Sequence, residues 1–161
     1  MSEPSSSGAV KAAPDSSSGR ERHRALQPPA DREVFVVPLA IAAADIDENN
    51  HVNNVVYVRW LQDVGTAHWN ARFDADTRAK WSWVCLRHEI DYRRALELGD
   101  AVQARTWVGV PQGARFTRYV LIEGPHGIAA QGVSEWVLVD SATMRPARVP
   151  PEMIKPFLPA A

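Results

Sequence analysis

The chain has 161 residues, which is the length of about one domain. Hydrophobic residues make up 45% and charged residues 23% of the chain, so the composition excludes a fibrous, collagen-like or fully disordered protein. Lysine and arginine number 18 against 19 aspartates and glutamates, a formal net charge of -1. This balance argues against a partner held by charge alone, so we expect no nucleic-acid ligand.

The single cysteine, Cys85, lies in an apolar run and has no second cysteine with which to form an intramolecular disulfide, which fits a reducing compartment. The longest apolar stretch, residues 34–46, is far shorter than the roughly 20 residues of a membrane-spanning helix. The first 30 residues lack the apolar segment of a secretory signal. We therefore expect a cytoplasmic protein without a membrane span.

Residues 1–30 have the composition of a disordered tail, with seven serines, four prolines, two glycines and no Ile, Phe, Trp or Tyr. Such a segment buries too little apolar surface to offset its ordering entropy. We expect a tail over residues 1–30 and one folded domain over residues 31–161. The small arginine cluster of the tail is favoured as part of a solvated linker, with a docking or targeting element as the alternative.

From Asp31 onward the chain is rich in Val, Ile, Trp and Tyr, which favours strands. The pattern predicts, in chain order, a strand at 33–43, a long helix at 53–72, strands at 81–93, 101–110, 114–123 and 128–139, and a short helix at 150–157. Turn residues separate the last four strands, so we expect an antiparallel meander. A period of two in the strand 81–93 places Val84, Leu86, His88, Ile90 and Tyr92 on one face.

The predicted long helix is amphipathic, because apolar residues recur along it at spacings of three and four. Gly65 inside this helix costs about 1 kcal/mol relative to alanine, which suggests close packing against a flat surface. One sheet covering one helix is an α+β arrangement. Such a layer leaves the other sheet face open, and six tryptophans add apolar surface, so we expect a homodimer or homotetramer.

Residues 45–54, with the sequence DIDENNHVNN, form the densest polar cluster and lie between the first strand and the helix. A loop that ends at a helix N-terminus presents free backbone N–H groups and the positive end of the helix dipole, which stabilise developing negative charge. A carboxylate and a histidine lie beside them. Such a set can serve acyl transfer, with a base or nucleophile, an orienting group and an oxyanion site of backbone amides.

At these residues the sequence resembles the hot-dog-fold thioesterases, in which the pattern D-x-D-x-x-G-H-V-N-N-x-x-Y opens the central helix. The matching residues are Asp45, Asp47, His51, Val52, Asn53, Asn54 and Tyr57. Asn49 also matches the acyl-ACP thioesterase version, D-x-D-x-N-x-H-V-N-N. Residues 88–92 and 98–100 are similar to the H-x-I-x-Y and G-D motifs of the same superfamily. The resemblance implies a hot-dog fold, an antiparallel sheet of about five strands wrapped around one long central helix.

The resemblance further implies hydrolysis of a fatty-acyl or aryl-acyl thioester to a free acid and a thiol. It assigns the catalytic carboxylate to Asp47, which acts either as nucleophile or as the base that activates water. It implies that His51 polarises or orients the reacting groups and that Asn49 holds substrate or water. Capping of the helix does not account for three polar side chains at a two-residue spacing, which favours a functional role for this trio.

The same resemblance places the oxyanion on backbone amides near Val52 and Asn53, and it adds Asn54 and Tyr57 to the substrate-binding set. The substrate is then an acyl-CoA or an acyl-ACP. Asn50 stands where the acyl-CoA branch commonly has glycine; asparagine tolerates positive φ, so the turn can survive, but the carrier stays open. We expect no cofactor, and the five scattered histidines show no metal-ligand spacing.

Several of these polar residues also have structural interpretations. Asp45 is favoured as a turn or capping acid, and Asn53 or Asn54 taken alone as a helix cap. His88 is favoured as a hydrogen-bonded core or interface histidine. Five arginines on strands or strand ends are candidates for binding a nucleotide carrier, although a solvated basic face is the default: Arg87, Arg93, Arg94, Arg115 and Arg118. Two other functions stay open, a non-catalytic acyl-thioester-binding protein and a hot-dog dehydratase or hydratase.

Overall fold

The computed structural model describes residues 24–159. Its elements, in chain order, are β1 Phe35–Leu39, α1 Asn54–Arg72, α2 Ala75–Lys80, β2 Trp81–Tyr92, β3 Val102–Val108, β4 Arg115–Gly124 and β5 Gly127–Asp140. The five predicted strands and the long helix are therefore all present. The predicted helix at 150–157 is instead two 3-10 turns, because Pro156 lacks the amide that a continuous α-helix would need. In this part of the chain no helix is long and apolar enough to cross a membrane.

The strands form one antiparallel sheet in the order β1-β3-β4-β5-β2. Strands β3, β4 and β5 form the predicted meander, but β2 pairs with β5 at the far edge and does not touch β3. The predicted four-stranded meander is therefore wrong at β2. The connection between β2 and β3, residues 93–101, is too long for a tight hairpin, and its Leu96 is buried in the core with α1.

Helix α1 packs on one face of this sheet, which confirms the predicted α+β architecture. Its buried side chains are Val56, Tyr57, Trp60, Leu61, Val64 and His68. The helix and the sheet approach each other closely at Gly132 on β5, where an added Cβ would lie 2.7 Å from Cδ2 of Leu61. The glycine in the helix has another neighbour, because an added Cβ at Gly65 would lie 3.4 Å from Nε of Arg118. The close packing expected at Gly65 is thus made with the Arg118 side chain on β4, and Gly132 provides a second close contact between helix and sheet.

Strand β2 contains an irregularity that the sequence pattern does not show. Its pairing with β5 shifts register between Cys85 and Arg87, which leaves Leu86 as an extra residue in a β-bulge. Because the bulge moves the alternation by one, Val84 and Leu86 are exposed whereas His88 is half-buried. The prediction of one common face for these three residues is therefore wrong. Within residues 24–159 the outer edge of β2 pairs with no other strand.

Residues 24–26 contact the sheet although they belong to the predicted tail. Gln131 on β5 accepts a hydrogen bond from the Leu26 amide at 3.1 Å and donates one to the Arg24 carbonyl at 3.1 Å. Residues 1–23 of the predicted tail lie outside the described residues. The division of the chain at residue 30 stays a prediction.

Candidate active site

The polar segment before α1 forms a tight loop. Ile46 and Val52 close it as an antiparallel bridge, and the Asp47 amide donates to the His51 carbonyl at 2.9 Å. Asn50 has a positive φ of 61°, a conformation that asparagine adopts more readily than most residues. Asparagine therefore keeps the turn at the position where the thioesterase pattern has glycine.

The loop backbone fixes the Asp47 carboxylate through one of its two oxygens. Oδ1 accepts a hydrogen bond from the Asn49 amide at 2.8 Å and approaches the His51 amide at 3.4 Å. Within residues 24–159 Oδ2 has no hydrogen-bond partner, and the residue is half-buried. One oxygen thus orients the carboxylate, and the other is available to a substrate or a water molecule.

The structure places Asn49 and His51 in the same loop as Asp47. Asn49 is exposed and His51 is half-buried, and their contacts with Asp47 are made by backbone atoms. Their side chains are therefore available to a ligand at the loop surface. Among the described residues no group of three or more His, Cys, Asp or Glu could hold a metal ion.

The other aspartate of the motif, Asp45, is a structural residue, as its interpretation as a turn acid predicts. It is buried, and its carboxylate accepts the Ala42 amide at 2.9 Å and pairs with Arg59 at 2.9 Å. The hydrogen bond from the Ala42 amide, together with Arg59, holds the pKa of Asp45 below its ordinary value although burial opposes the shift. With both oxygens engaged, Asp45 anchors the loop to α1.

Two backbone amides predicted to bind the oxyanion are engaged within the protein. The Val52 amide donates to the Leu96 carbonyl at 2.7 Å, and the Asn53 amide donates to the Asp45 carbonyl at 2.8 Å. Asn53 is also the N-cap of α1, since its side chain accepts the Val55 amide at 3.0 Å. The structural interpretation of Asn53 as a cap is thus confirmed, and in this structure neither amide is free for a substrate.

The next amide in the chain is differently placed. Within residues 24–159 the Asn54 amide, the first of α1, has no hydrogen-bond partner. Its side chain is exposed, where the Asp47 loop leads into α1. A helix N-terminus with a free N–H is suited to a developing negative charge.

Tyr57 lies in the first turn of α1 and has 3% of its surface exposed. Its ring packs edge-on against Trp60 and Tyr92. Burial raises the pKa of Tyr57 above its ordinary value, although a hydrogen bond with the Leu96 backbone opposes the shift. The Leu96 carbonyl also accepts the Val52 amide, so the Leu96 backbone connects Tyr57 to the loop.

His88, the second candidate histidine, is hydrogen-bonded inside the sheet. Its Nδ1 lies 2.7 Å from the Ser134 hydroxyl, and its Nε2 lies 3.3 Å from Sγ of Cys85. Burial lowers the pKa of His88. These contacts match the expected core histidine.

A cavity of 290 Å³ lies against the C-terminal half of α1, away from the loop. Its lining includes the buried Arg118 on β4 and Trp136 on β5. The default expectation of a solvated basic face is therefore wrong for Arg118. The alternation of β4 could have identified this residue, since it shares a phase with the buried Phe116 and Val120.

A family model described as the Thioesterase-like superfamily matches residues 41–157 of the chain. Two uncharacterized proteins from strains of Mycobacterium tuberculosis are 24% identical to it over 132 residues, which is 82% of this chain and 52% of theirs. The chain thus spans about half the length of the curated relatives it matches.

Solved structures share the fold. A thioesterase from Thermus thermophilus, complexed with coenzyme A and Zn, is 23% identical with a TM-score of 0.66, over 76% of this chain and 90% of that chain. The 12:0-ACP thioesterase from Umbellularia californica is 19% identical with a TM-score of 0.66, over 79% of this chain and 51% of that chain. The hot-dog fold expected from the sequence is confirmed. Because the family model matches well over half of the residues, the chain belongs to the thioesterase-like superfamily.

Proposed function

We propose that this protein hydrolyses acyl thioesters and that Asp47 is its catalytic carboxylate. The observation that carries the proposal is the arrangement of Asp47, whose Oδ1 is held by the loop while Oδ2 is free among the described residues. Membership of the thioesterase-like superfamily supports this reaction class. The neighbouring Asp45 is a poor alternative, because both of its oxygens are engaged.

The overall reaction adds the oxygen of water to the carbonyl carbon of the thioester and breaks the C–S bond. One proton of the water goes to the sulfur, which leaves as the thiol. Oδ2 of Asp47 can add to the carbonyl, giving an anhydride that water then opens, or it can remove a proton from water as the water adds. The Asn54 amide is the donor for the oxyanion, aided by the dipole of α1. The side chains of Asn49 and His51 hold and orient the substrate or the water.

The thiol carrier in this proposal is coenzyme A or ACP. Similar structures include one thioesterase complexed with coenzyme A and one 12:0-ACP thioesterase, which supports either carrier. Arg94 and His126 line a second cleft at the end of β2. A cationic side chain there suits the phosphates of a carrier.

We also propose that the protein is a homodimer, or a homotetramer built from dimers. The outer edge of β2 has no partner strand within residues 24–159, and Val84 and Leu86 on it are 39% and 49% exposed. An open strand edge with apolar side chains favours pairing with a second copy. The greater length of the curated relatives leaves room for a second unit of this size. Sedimentation at micromolar concentration tests the proposal, and a species of 17.8 kDa would contradict it.

The test of hydrolysis is release of free thiol from a panel of acyl-CoAs and acyl-ACPs by the wild type and by Asp47→Asn. The variant keeps an oxygen that can accept the Asn49 amide but loses basicity, so turnover should fall on the order of 100-fold or more with little change in folding. Near-normal turnover by Asp47→Asn would contradict the proposal. Substrate binding without thiol release indicates a non-catalytic binder, and a modified acyl chain indicates a dehydratase or hydratase.

A further inference from the structure

The cavity beside the C-terminal half of α1 has walls made largely of aromatic rings. These come from α1, β2, β4, β5 and the last 3-10 turn, and they are Trp69, Trp81, Trp83, Phe116, Trp136 and Phe157. The rings of Trp83 and Phe116 stack on each other with their centroids 5.4 Å apart. A further planar ring can pack against aromatic walls of this kind, either face to face or edge-on.

A buried positive charge lies in the same wall. Arg118 is 7% exposed, and its Nη1 donates to Nδ1 of His68 at 3.0 Å and to the Thr106 hydroxyl at 3.1 Å. No carboxylate pairs with it within residues 24–159. Burial lowers the pKa of Arg118 to about 10, so the side chain stays charged at neutral pH. A buried cation whose protein partners are all neutral lacks a counter-ion, and an anionic ligand would supply one.

Glu33, the acid linked to Arg118 through His68, does not supply that anion. Arginine only donates, so Nδ1 of His68 must be unprotonated, and Nε2–H of His68 then donates to Glu33 at 3.3 Å. Glu33 itself pairs with Arg72, whose Nε donates to it at 2.9 Å. The carboxylate charge is thus balanced by another arginine, on the far side of the His68 ring from Arg118.

A second polar group of this wall lacks a hydrogen-bond partner. Nε1 of Trp136 is buried and has no hydrogen-bond partner, the one such side-chain atom found in the described part of the chain. Trp136 is 8% exposed and lies opposite Phe116 in the sheet, on the strand beside Arg118. Buried N–H groups nearly always have an acceptor, and since Nε1 has almost no accessible surface, an acceptor reaches it when the neighbouring side chains shift slightly.

We propose that this cavity binds a carboxylate attached to an aromatic ring. The carboxylate pairs with the Arg118 guanidinium and accepts from Nε1 of Trp136, and the ring lies among the aromatic walls. The volume of 290 Å³ is at the lower end of small-molecule sites, which suits an acid of one or two rings. The binding proposal goes beyond hydrolysis, because none of the residues of the Asp47 loop lines the cavity.

The test is calorimetric titration of the full-length protein with 1-naphthoate and with 1-naphthalenemethanol, a neutral analogue with the same rings. The wild type should bind the acid at least about tenfold more tightly than the alcohol. Arg118→Met, which keeps an apolar chain of similar length, should abolish the difference, whereas Arg118→Lys should keep part of it because the charge remains. Trp136→Phe should weaken the acid several-fold and leave the alcohol unchanged.

Circular dichroism and melting curves verify that each variant is folded. If Arg118→Met does not fold, the acid-to-alcohol ratio in the wild type and in Trp136→Phe decides the proposal. Equal affinity of the wild type for acid and alcohol would overturn it, and so would no detectable binding of naphthoate. Asp47→Asn should bind naphthoate like the wild type, so a failure of the hydrolysis proposal is distinguishable from a failure of this one.

The ligand has two possible sources, which kinetics separate. If the carboxylate is the distal group of an acyl chain, naphthoate competes with the thioester, and aryl thioesters with a ring carboxylate have a higher kcat/KM that Arg118→Met abolishes. If it belongs to a free aromatic acid acting as an effector, naphthoate binds without competing. Both results support the site and identify its ligand.

Discussion

Asp47 and Arg118 both keep unused hydrogen-bonding capacity, but the protein holds them in opposite ways. The partners of Asp47 are the amides of Asn49 and His51, two and four residues along the chain. The side-chain partners of Arg118 are 50 and 12 residues away, on α1 and β3. One site is therefore built by a local turn and the other by the tertiary fold.

Because the two sites are built differently, they also differ in the free-energy cost of keeping a charge in place. The Asp47 loop is half-buried, so water and backbone amides stabilise its charge. The guanidinium of Arg118 is buried, and its partners must replace the water it has lost. Substitution of Asp47 should therefore change chemistry more than stability, whereas substitutions in the network around Arg118 should change stability.

The largest effect that we expect is acid destabilisation through His68, which has no exposed surface. Burial, with the nearby charge of Arg118, lowers the pKa of His68 from 6.5 to about 4, although Glu33 opposes the shift. Between these values the unfolded chain binds a proton that the folded chain does not, so the free energy of unfolding falls as pH decreases. The loss should approach about 3 kcal/mol by pH 4, measured by urea denaturation.

The matched control is His68→Gln, which can still accept from Arg118 but does not titrate. Its free energy of unfolding should change less between pH 6.5 and pH 4.5 than that of the wild type. A residual slope at lower pH is expected from Glu33, since the hydrogen bond from Arg72 lowers the pKa of that carboxyl. Identical pH dependence in the two proteins would show that His68 does not carry the effect.

The same contrast explains which features could be predicted from the sequence. The α1 helix was predictable because Asn53 caps it and its apolar spacing is local. The Asp47 turn was predictable because its hydrogen bonds span two to four residues, so that residue spacing alone defines them. Family resemblance added the role of Asp47, which spacing by itself does not supply.

Features that depend on distant residues were not predictable in the same way. The place of β2 beside β5 depends on pairing across the whole domain, and the bulge at Leu86 appears only when two strands are in register. The family resemblance implied binding of the oxyanion by amides near Val52, but the Val52 amide is engaged by a carbonyl. The carbonyl that engages it belongs to Leu96, in a connection whose path the sequence does not reveal.

A smaller effect separates the two aspartates of the loop. Asp45→Asn weakens the pairing with Arg59 and presents an NH2 group to donors, so the free energy of unfolding should fall by about 1–2 kcal/mol. Its rate of thiol release should stay within a few-fold of the wild type, because Asp47 is untouched. Asp47→Asn should show the reverse pattern. Equal loss of activity in both variants, measured on folded protein, would contradict the division of roles.

The smallest expected effect concerns the N-terminal residues. Here the composition of the segment and its contacts with distant residues predict different losses of stability. Composition alone predicts that deleting residues 1–30 changes the free energy of unfolding by less than about 0.5 kcal/mol. The hydrogen bonds of Gln131 with the backbone of Arg24 and Leu26 raise the expected loss to about 1 kcal/mol. Deleting residues 1–23 keeps these contacts and serves as the control, for which the loss should stay below about 0.5 kcal/mol. Equal stability of the two truncations in urea denaturation would show that the contact with β5 contributes nothing measurable.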